Sequence, residues 1–332
     1  MKEREFKLGK NINKIFASVW LTNRCIAVGT KCNKLMVIDS ETGRSDVIPL
    51  LAMGDEEVTP NSGIHTISLN PSASMMLTGG KNPNDVAFYS LPSLDPLCLG
   101  AGAHNDWVFC SEWLDDEFAL TGSRDNSIAL WQIEESMFAT NDFMDVPICS
   151  HVNPIIRRSC LQCEKVRSLS YNENRKEGAI LSLNGYIHLW DIMQFRQLSS
   201  IRLKDAFETV TLAFDSNLGI YGAGSYSSIM LIDSRSLKYT KVITIQDSHE
   251  FGVRSLSFNN NIVTVGAGGG VVMFYDLRKH QFIQCSCGKK CSLTVGGGYI
   301  LNYFKPIELP GSKSWVRKSL STEVGSCFSK IE

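Results

Sequence analysis

Six times along this chain of 332 residues, an apolar run passes through a turn of small residues into a β-prone run that closes on an aromatic or aliphatic residue, usually followed by aspartate. The closing pairs are Ile38-Asp39, Tyr89-Ser90, Trp131-Gln132, Trp190-Asp191, Ile232-Asp233 and Tyr275-Asp276, at intervals of 51, 42, 59, 42 and 43 residues. This spacing clusters on the ~40–45-residue period of WD repeats, whose four-stranded blades are arranged radially around a channel. The two longer intervals mark insertions. The sequence therefore predicts an all-β WD-repeat β-propeller with six recognisable blades and a seventh that is incomplete or absent. One ring is expected over residues 13–305, with 1–12 as an N-terminal segment and candidate ring-closing strand, and 306–332 as a divergent polar tail. A repeat ring can exceed the ~150 residues of an ordinary domain because each blade buries its apolar face against its neighbours.

The third unit shows the pattern most fully. His104-Asn105-Asp106-Trp107 leads into Val108 to Trp113, followed by Phe118 to Ser123, the turn Arg124-Asp125-Asn126-Ser127 and Ile128 to Trp131. Alternation with β-branched and aromatic content favours strands over helices, and Asp-Asn-Ser supplies turn chemistry. Two inner strands are nearly the same hexapeptide, Val166-Arg167-Ser168-Leu169-Ser170-Tyr171 and Val253-Arg254-Ser255-Leu256-Ser257-Phe258. Past residue 291 the period fades. Tyr299 to Phe304 reads as the remnant of a further blade, and the alternating Glu5-Phe6-Lys7-Leu8 is its candidate partner.

The 33 basic and 34 acidic residues give a net charge of -1, which offers no global attraction to nucleic acid or to an anionic membrane. No apolar run reaches the ~18 residues a spanning helix needs, and no apolar segment of signal-peptide type follows the first five residues. The chain is expected to be soluble, in the cytoplasm, the nucleus or both, with no direct nucleic-acid or membrane partner. Eleven cysteines are an odd number in a long chain, and Cys25, Cys32, Cys98 and Cys110 fall in apolar strand patterns, as buried free thiols do. Cys160-x2-Cys163 and Cys285-x-Cys287-x3-Cys291 lie in polar inter-blade segments without a partner pair at finger spacing, so neither a metal nor another cofactor is expected.

No nucleophile constellation emerges, and the glycine run 266–270 precedes a strand where a dinucleotide site requires a helix. An enzyme is not expected. What stands out is where the cations fall once the repeats are superposed. The second position of the inner strand is Phe16, His65, Phe109, Arg167, Val210 and Arg254; the position seven before each closing residue is Lys31, Asn82, Arg124, Leu183, Ser225 and Gly268. Lys81 lies one residue out of frame, and Lys165 directly precedes the fourth inner strand. Lys31, Arg124, Lys165, Arg167 and Arg254, helped by Lys81 and His65, thus form a cationic ring at one channel mouth. For any one of them, a solvated turn charge or a local pair with Asp106 or Asp125 is the simpler account. Together they repel by ~1 kcal/mol or more per close pair, so a basic ring without internal partners points to an anionic ligand.

Specific strings go further than the period. Lys2-Glu3-Arg4-Glu5-Phe6, Val28-Gly29-Thr30-Lys31-Cys32-Asn33, Gly79-Gly80-Lys81-Asn82-Pro83-Asn84, Leu94-Asp95-Pro96 and Gly122-Ser123-Arg124-Asp125 resemble the family of the twelfth damaged-DNA-binding-protein-1 and cullin-4 associated factor. The resemblance covers roughly residues 2 to 295. It implies a non-catalytic substrate receptor of a cullin-4 RING ubiquitin ligase, partnered by the damaged-DNA-binding protein 1 adaptor and, through it, cullin-4. It also implies capture of proteins with acidic, twin-glutamate-type C-termini by Lys31, Lys81, Arg124, Lys165, Arg167 and Arg254. Asp233-Ser234-Arg235 and Asp276-Leu277-Arg278 resemble boxes associated with adaptor docking. Members of that family carry helical adaptor-binding elements ahead of the Lys2 to Phe6 string and continue through a seventh blade, so weak adaptor binding is expected of this chain alone. A WD-repeat scaffold outside any ligase, holding acidic or phosphorylated peptides, is the alternative.

Overall fold

Alternating apolar and polar residues separated by tight turns give strands that pair with their sequence neighbours, and in this chain the pairing repeats six times. The computed structural model describes residues 2–7, 12, 14–52, 62–133, 150–245, 252–267, 271–283, 293–294 and 300–305. After β1 (Lys2–Lys7), blade 1 is β2 (Ile15–Trp20), β3 (Cys25–Thr30), β4 (Leu35–Asp39) and β5 (Ser45–Ile48). Blade 2 is β6 (Ile67–Leu69), β7 (Met75–Gly79), β8 (Val86–Ser90) and β9 (Pro96–Gly100). Blade 3 opens with β10 (Val108–Trp113), β11 (Phe118–Ser123) and β12 (Ser127–Gln132), and after β13 (Ser150–Val152) is completed by β14 (Ile156–Ser159). Blade 4 is β15 (Val166–Asn172), β16 (Glu177–Ser182), β17 (Tyr186–Asp191) and β18 (Arg196–Arg202). Blade 5 is β19 (Thr211–Asp215), β20 (Ile220–Gly224), β21 (Ser228–Asp233) and β22 (Tyr239–Thr244). Blade 6 is β23 (Val253–Asn259), β24 (Ile262–Ala267), β25 (Val271–Asp276) and the two-residue β26 (Gln281–Phe282), with β27 (Leu293–Thr294) also pairing β25. Finally, β28 (Ile300–Lys305) pairs β1 antiparallel, Lys2 opposite Lys305 and Lys7 opposite Ile300, as a separate two-stranded sheet. Among the described residues there is no helix, and the arrangement is a six-blade β-propeller.

The core is a set of seams between blades. One cluster joins Phe88 and Cys98 of blade 2 to Val108, Trp113 and Trp131 of blade 3; others join blades 3 and 4, 4 and 5, 5 and 6, and 1 and 2. Inner strands lie against one another in sequence, β2 on β6, β6 on β10, β10 on β15, β15 on β19 and β19 on β23, so they line the channel. The small residues of the repeat serve these seams. A Cβ on Gly122 would come within 2.4 Å of Val166 Cγ1 on the next inner strand, and one on Gly224 within 2.5 Å of Val253 Cγ1.

In blade 3 a buried polar network adds to the packing. Trp131 Nε1 donates to Thr121 Oγ1 at 2.8 Å, and His104 bridges Thr121 Oγ1 and Ser127 Oγ, both at 2.8 Å. Asp125 accepts from Ser127 and from the Asn105 N–H. Burial acts to raise its carboxyl, but the hydrogen bonds from His104, Asn105 and Ser127 outweigh burial and hold it well below the usual carboxylate range. Asn126 sits at φ 63°, the left-handed geometry asparagine tolerates in turns.

Two sequence expectations change. The segment after the third closing pair is more than an insertion: β13 pairs parallel with β9 on the outer edge of blade 2, Ser150 opposite Cys98, before the chain returns as the outer strand of blade 3. Cys160 and Cys163 are buried in the seam between blades 3 and 4 rather than in a polar segment, because apolar Val166, Leu169 and Trp190 pack around them. Cys32 lies half-buried in a turn, whereas Cys98 and Cys110 are buried free thiols as expected. The Cys285, Cys287 and Cys291 cluster falls outside the described residues.

Trp131→Ala should destabilise the protein by ~3–5 kcal/mol, since it empties the seam and removes one of the two side-chain partners of the Thr121 hydroxyl. Gly122→Ala should cost ~1–3 kcal/mol by overpacking against Val166. Denaturant midpoints measured at constant m-value check both; an unchanged midpoint for Gly122→Ala would show that the seam can yield.

Candidate functional site

Irregular backbone at the start of the inner strands builds the channel mouth. The register shifts between Ile15 and Ala17, Val108 and Cys110, Val166 and Ser168, and Val253 and Ser255, leaving Phe16, Phe109, Arg167 and Arg254 as the extra residue of a β-bulge. A bulge re-aims its side chain. In these blades it replaces strict in-and-out alternation with one residue per blade facing its neighbours around the mouth. The superposition that singled out Arg167 and Arg254 had located this bulge.

The bulge residues of blades 1, 3 and 4, with His65 of blade 2 between them, form a continuous stack. Phe16 lies on the His65 ring at 4.5 Å between centroids, His65 meets Phe109 edge-on at 4.9 Å, and the Arg167 guanidinium sits 4.5 Å from the Phe109 centroid. Trp107 stacks on His65 at 5.5 Å and carries Arg124 at 5.3 Å. Such cation–π contacts contribute about 0.5–2 kcal/mol each and hold the guanidinium planes in fixed orientations.

Above this stack lie the turns between second and third strands. Lys31 N–H donates to Lys14 O, Arg124 N–H to Trp107 O, Leu183 N–H to Lys165 O and Tyr226 N–H to Phe207 O, so these pairs occupy equivalent places. Lys81 is in register with Lys31 and Arg124. Its apparent slip arises because six residues, 80–85, separate the paired Gly79 and Val86, where five separate Gly122 from Ile128. In blade 5 the turn is shorter, and Tyr226 rather than Ser225 takes the position. Asn33 Nδ2 donates to Lys81 O at 2.9 Å, which ties the first two turns together.

The expected ring without internal partners is not what the structure contains. Arg254 is paired with Glu208 at 3.1 Å, Arg124 Nε lies 3.5 Å from Asp106, and Lys165 lies 3.6 Å from Glu164. Blade 5 supplies no cation and brings Asp205, whose carboxylate accepts from Ser225, Ser227 and Ser228. The result is a crescent over blades 1 to 4, with Arg254 neutralised across from it. Among the described residues, Lys31 and Lys81 have no carboxylate within ion-pair distance, and both are half-buried. Sequence reasoning missed Trp107, which precedes its inner strand as Lys165 does, and it set aside Phe16 and Phe109 although they share a frame with Arg167.

The docking-box residues serve the opposite end of the blades. Asp233 Oδ1 accepts the N–H groups of Arg235 and Ser236, and Asp276 Oδ1 those of Arg278 and Lys279, closing the turns after β21 and β25. Asp39 does the same in blade 1 with Glu41 and Thr42. These aspartates are turn formers of the repeat, while Arg235 and Arg278 are exposed. Strands of about six residues place that face roughly 20 Å from the crescent.

His65 adds no positive charge at neutral pH. Burial, then the Arg167 guanidinium, pulls its pKa down to about 4 against the opposing hydrogen bond to Ser62 O. Because the folded value lies below the ~6.5 of an unfolded histidine, the unfolded chain binds the extra proton first. The neutral ring's contribution is complete above about pH 6.5 and is lost as the pH falls toward 4, by about 2–3 kcal/mol. Urea midpoints between pH 7 and 4 should fall less for His65→Phe than for the parent; parallel curves would exclude His65 as the source.

The comparison with known families agrees with this fold. A family model described as the DDB1- and CUL4-associated factor 12 beta propeller matches residues 1–320, and so extends beyond residue 295, where the string resemblance ends. The chain belongs to the DDB1- and CUL4-associated factor 12 β-propeller family.

Proposed function

We propose that this chain is a non-catalytic substrate-recognition subunit of a cullin-4 RING ubiquitin ligase, which takes up proteins by an acidic C-terminus in the crescent of Lys31, Lys81, Arg124, Lys165 and Arg167, with Arg254 at its far side. Family membership supports the ligase role. The observation that carries the ligand class is the stack on which Arg124 and Arg167 are oriented by aromatic faces beside two lysines without carboxylate partners among the described residues. Two planar forks suit carboxylates, and the aromatic surface suits the methylene stems of glutamate side chains. The adaptor is assigned to the opposite face, around Asp233, Arg235, Asp276 and Arg278, so both partners fit at once. Work in the cytoplasm, the nucleus or both follows from that role.

The test is a titration of the chain with a fluorescent peptide ending in two glutamates, beside its C-terminal amide. Amidation removes a charge-assisted bond worth ~1.5–3 kcal/mol, so affinity should drop at least ~10-fold. Arg124→Ala should lose ~10-fold or more and Arg124→Lys should recover only part, with stability falling by no more than the ~0.5–2 kcal/mol of the Trp107 contact. Equal affinity for acid and amide would exclude carboxylate capture, and preference for an internal phosphopeptide would favour a scaffold role. Co-purified DDB1 should fall when Arg235 and Arg278 are both changed to Glu while peptide binding stays; unchanged DDB1 would move the adaptor to another face.

The Arg254 and Glu208 pair yields a separate expectation. Glu208→Gln removes one carboxylate that competes for Arg254, so acidic peptides should bind ~3–10-fold tighter, with a steeper loss of affinity in salt. No gain would place Arg254 outside the peptide path.

A further inference from the structure

Where the third blade hands over to the fourth, three residues of metal-ligating type meet in the interior. Cys160 and Cys163 come from the link between β14 and β15, and His188 from the third strand of blade 4; all three are buried, and one ligand atom from each lies within 4.8 Å of the others. His188 is fully buried, and its Nε2 meets no hydrogen-bond partner other than the Cys163 thiol. Leaving a buried imidazole nitrogen unsatisfied costs ~1–3 kcal/mol unless something occupies its lone pair. We propose that Cys160, Cys163 and His188 form a zinc site that staples blade 3 to blade 4.

The surroundings are arranged as metal sites require. His188 Nδ1 is 2.8 Å from Ser200 Oγ, directly across the strand pair, and Gln197 Nε2 donates to the same Ser200 Oγ at 2.8 Å. With Nδ1 engaged there, the lone pair of Nε2 is left facing the sulfurs, as in histidine ligands held by an outer hydrogen bond. The Gln197 amide also grips the Cys-x2-Cys turn, accepting the Leu161 N–H at 2.8 Å and donating to Leu161 O at 3.2 Å. Asn184 Nδ2 holds Gln162 O at 2.9 Å, and Gln162 takes a left-handed φ of 62° so that both sulfurs turn to one side. One glutamine thus positions the thiol pair and the imidazole together.

The chemistry balances without a redox step. Zn2+ displaces the protons of both thiols to solvent and binds two thiolates and one neutral imidazole, which makes the site electrically neutral and compatible with the apolar seam of Val166, Leu169 and Trp190. Thiolate and imidazole are zinc's preferred donors, and bonds of ~2.3 Å to sulfur and ~2.0 Å to nitrogen need the three atoms only a little closer than they stand. Among the described residues no fourth protein ligand belongs to the group, which leaves that position to water. The third ligand is 25 positions beyond Cys163 and on a strand, so no finger spacing announces it.

The experiment strips the full chain with chelator under reducing conditions, adds zinc chloride, removes free metal by gel filtration and counts zinc by mass spectrometry. About one zinc per chain is expected, with Gln197→Ala weakening affinity ~10-fold and Cys163→Ser or His188→Gln abolishing stoichiometric binding. Cobalt in place of zinc should give thiolate charge-transfer bands in the parent. Should the ligand variants fail to fold, the parent still decides the matter: zinc should slow alkylation of Cys160 and Cys163 selectively over Cys25. No stoichiometric zinc, equal alkylation with and without zinc, or metal that is lost on changing Cys285, Cys287 and Cys291 to Ser instead would overturn the site.

Discussion

The close approach of each blade's second strand to the next blade's inner strand is the contact on which the rest depends. At Gly122 and Gly224 there is no room for a Cβ, because Val166 and Val253 fill that space. Apolar side chains from two blades together complete the seams from blade 1 through blade 6, beside a cluster of Ile15, Trp20, Ile26 and Met36 within blade 1. Backbones brought this near also leave the inner strands side by side around the channel, with their bulged residues within reach of one another. The stack from Phe16 through His65 and Phe109 to Arg167 is therefore a product of the ring's packing as much as of the residues themselves.

That origin explains how a cluster of cations is tolerated. Arg124 and Arg167 lean on aromatic faces, Arg254 is met by Glu208, and a neutral His65 separates blades that would otherwise add a further charge. Repulsion is spread over a crescent instead of being gathered at one point. The far ends of the same strands are closed by aspartates that cap turns, with exposed arginines beside them. One strand length separates two chemically distinct faces.

How much of this was legible depended on period. The six closing pairs all end third strands, and the Val-Arg-Ser hexapeptides open two inner strands, because both features repeat at a fixed interval. Lys81 looked displaced only because one turn is a residue longer, and a frame counted from the closing residue cannot absorb that change. Asp106 was weighed as a local partner, and the structure sets it 3.5 Å from Arg124, whereas Glu208 went unweighed since it recurs in no other unit. His188 was unreadable as a ligand for a similar reason: what brings it to Cys160 and Cys163 is the packing of blade 4 on blade 3. His65 was counted as a cation on residue type, whereas burial among rings removes its charge.

The detour through β13 has a consequence for how the ring opens. By adding a parallel strand to β9 before returning to finish blade 3, the chain makes the outermost layer of one blade part of the covalent path into the next. Blade 3 cannot shed β14 without tugging on the rim of blade 2, so the two should exchange their amide hydrogens as one cooperative unit. The best-formed half of the crescent, Lys81 through Arg124, is mounted on that unit.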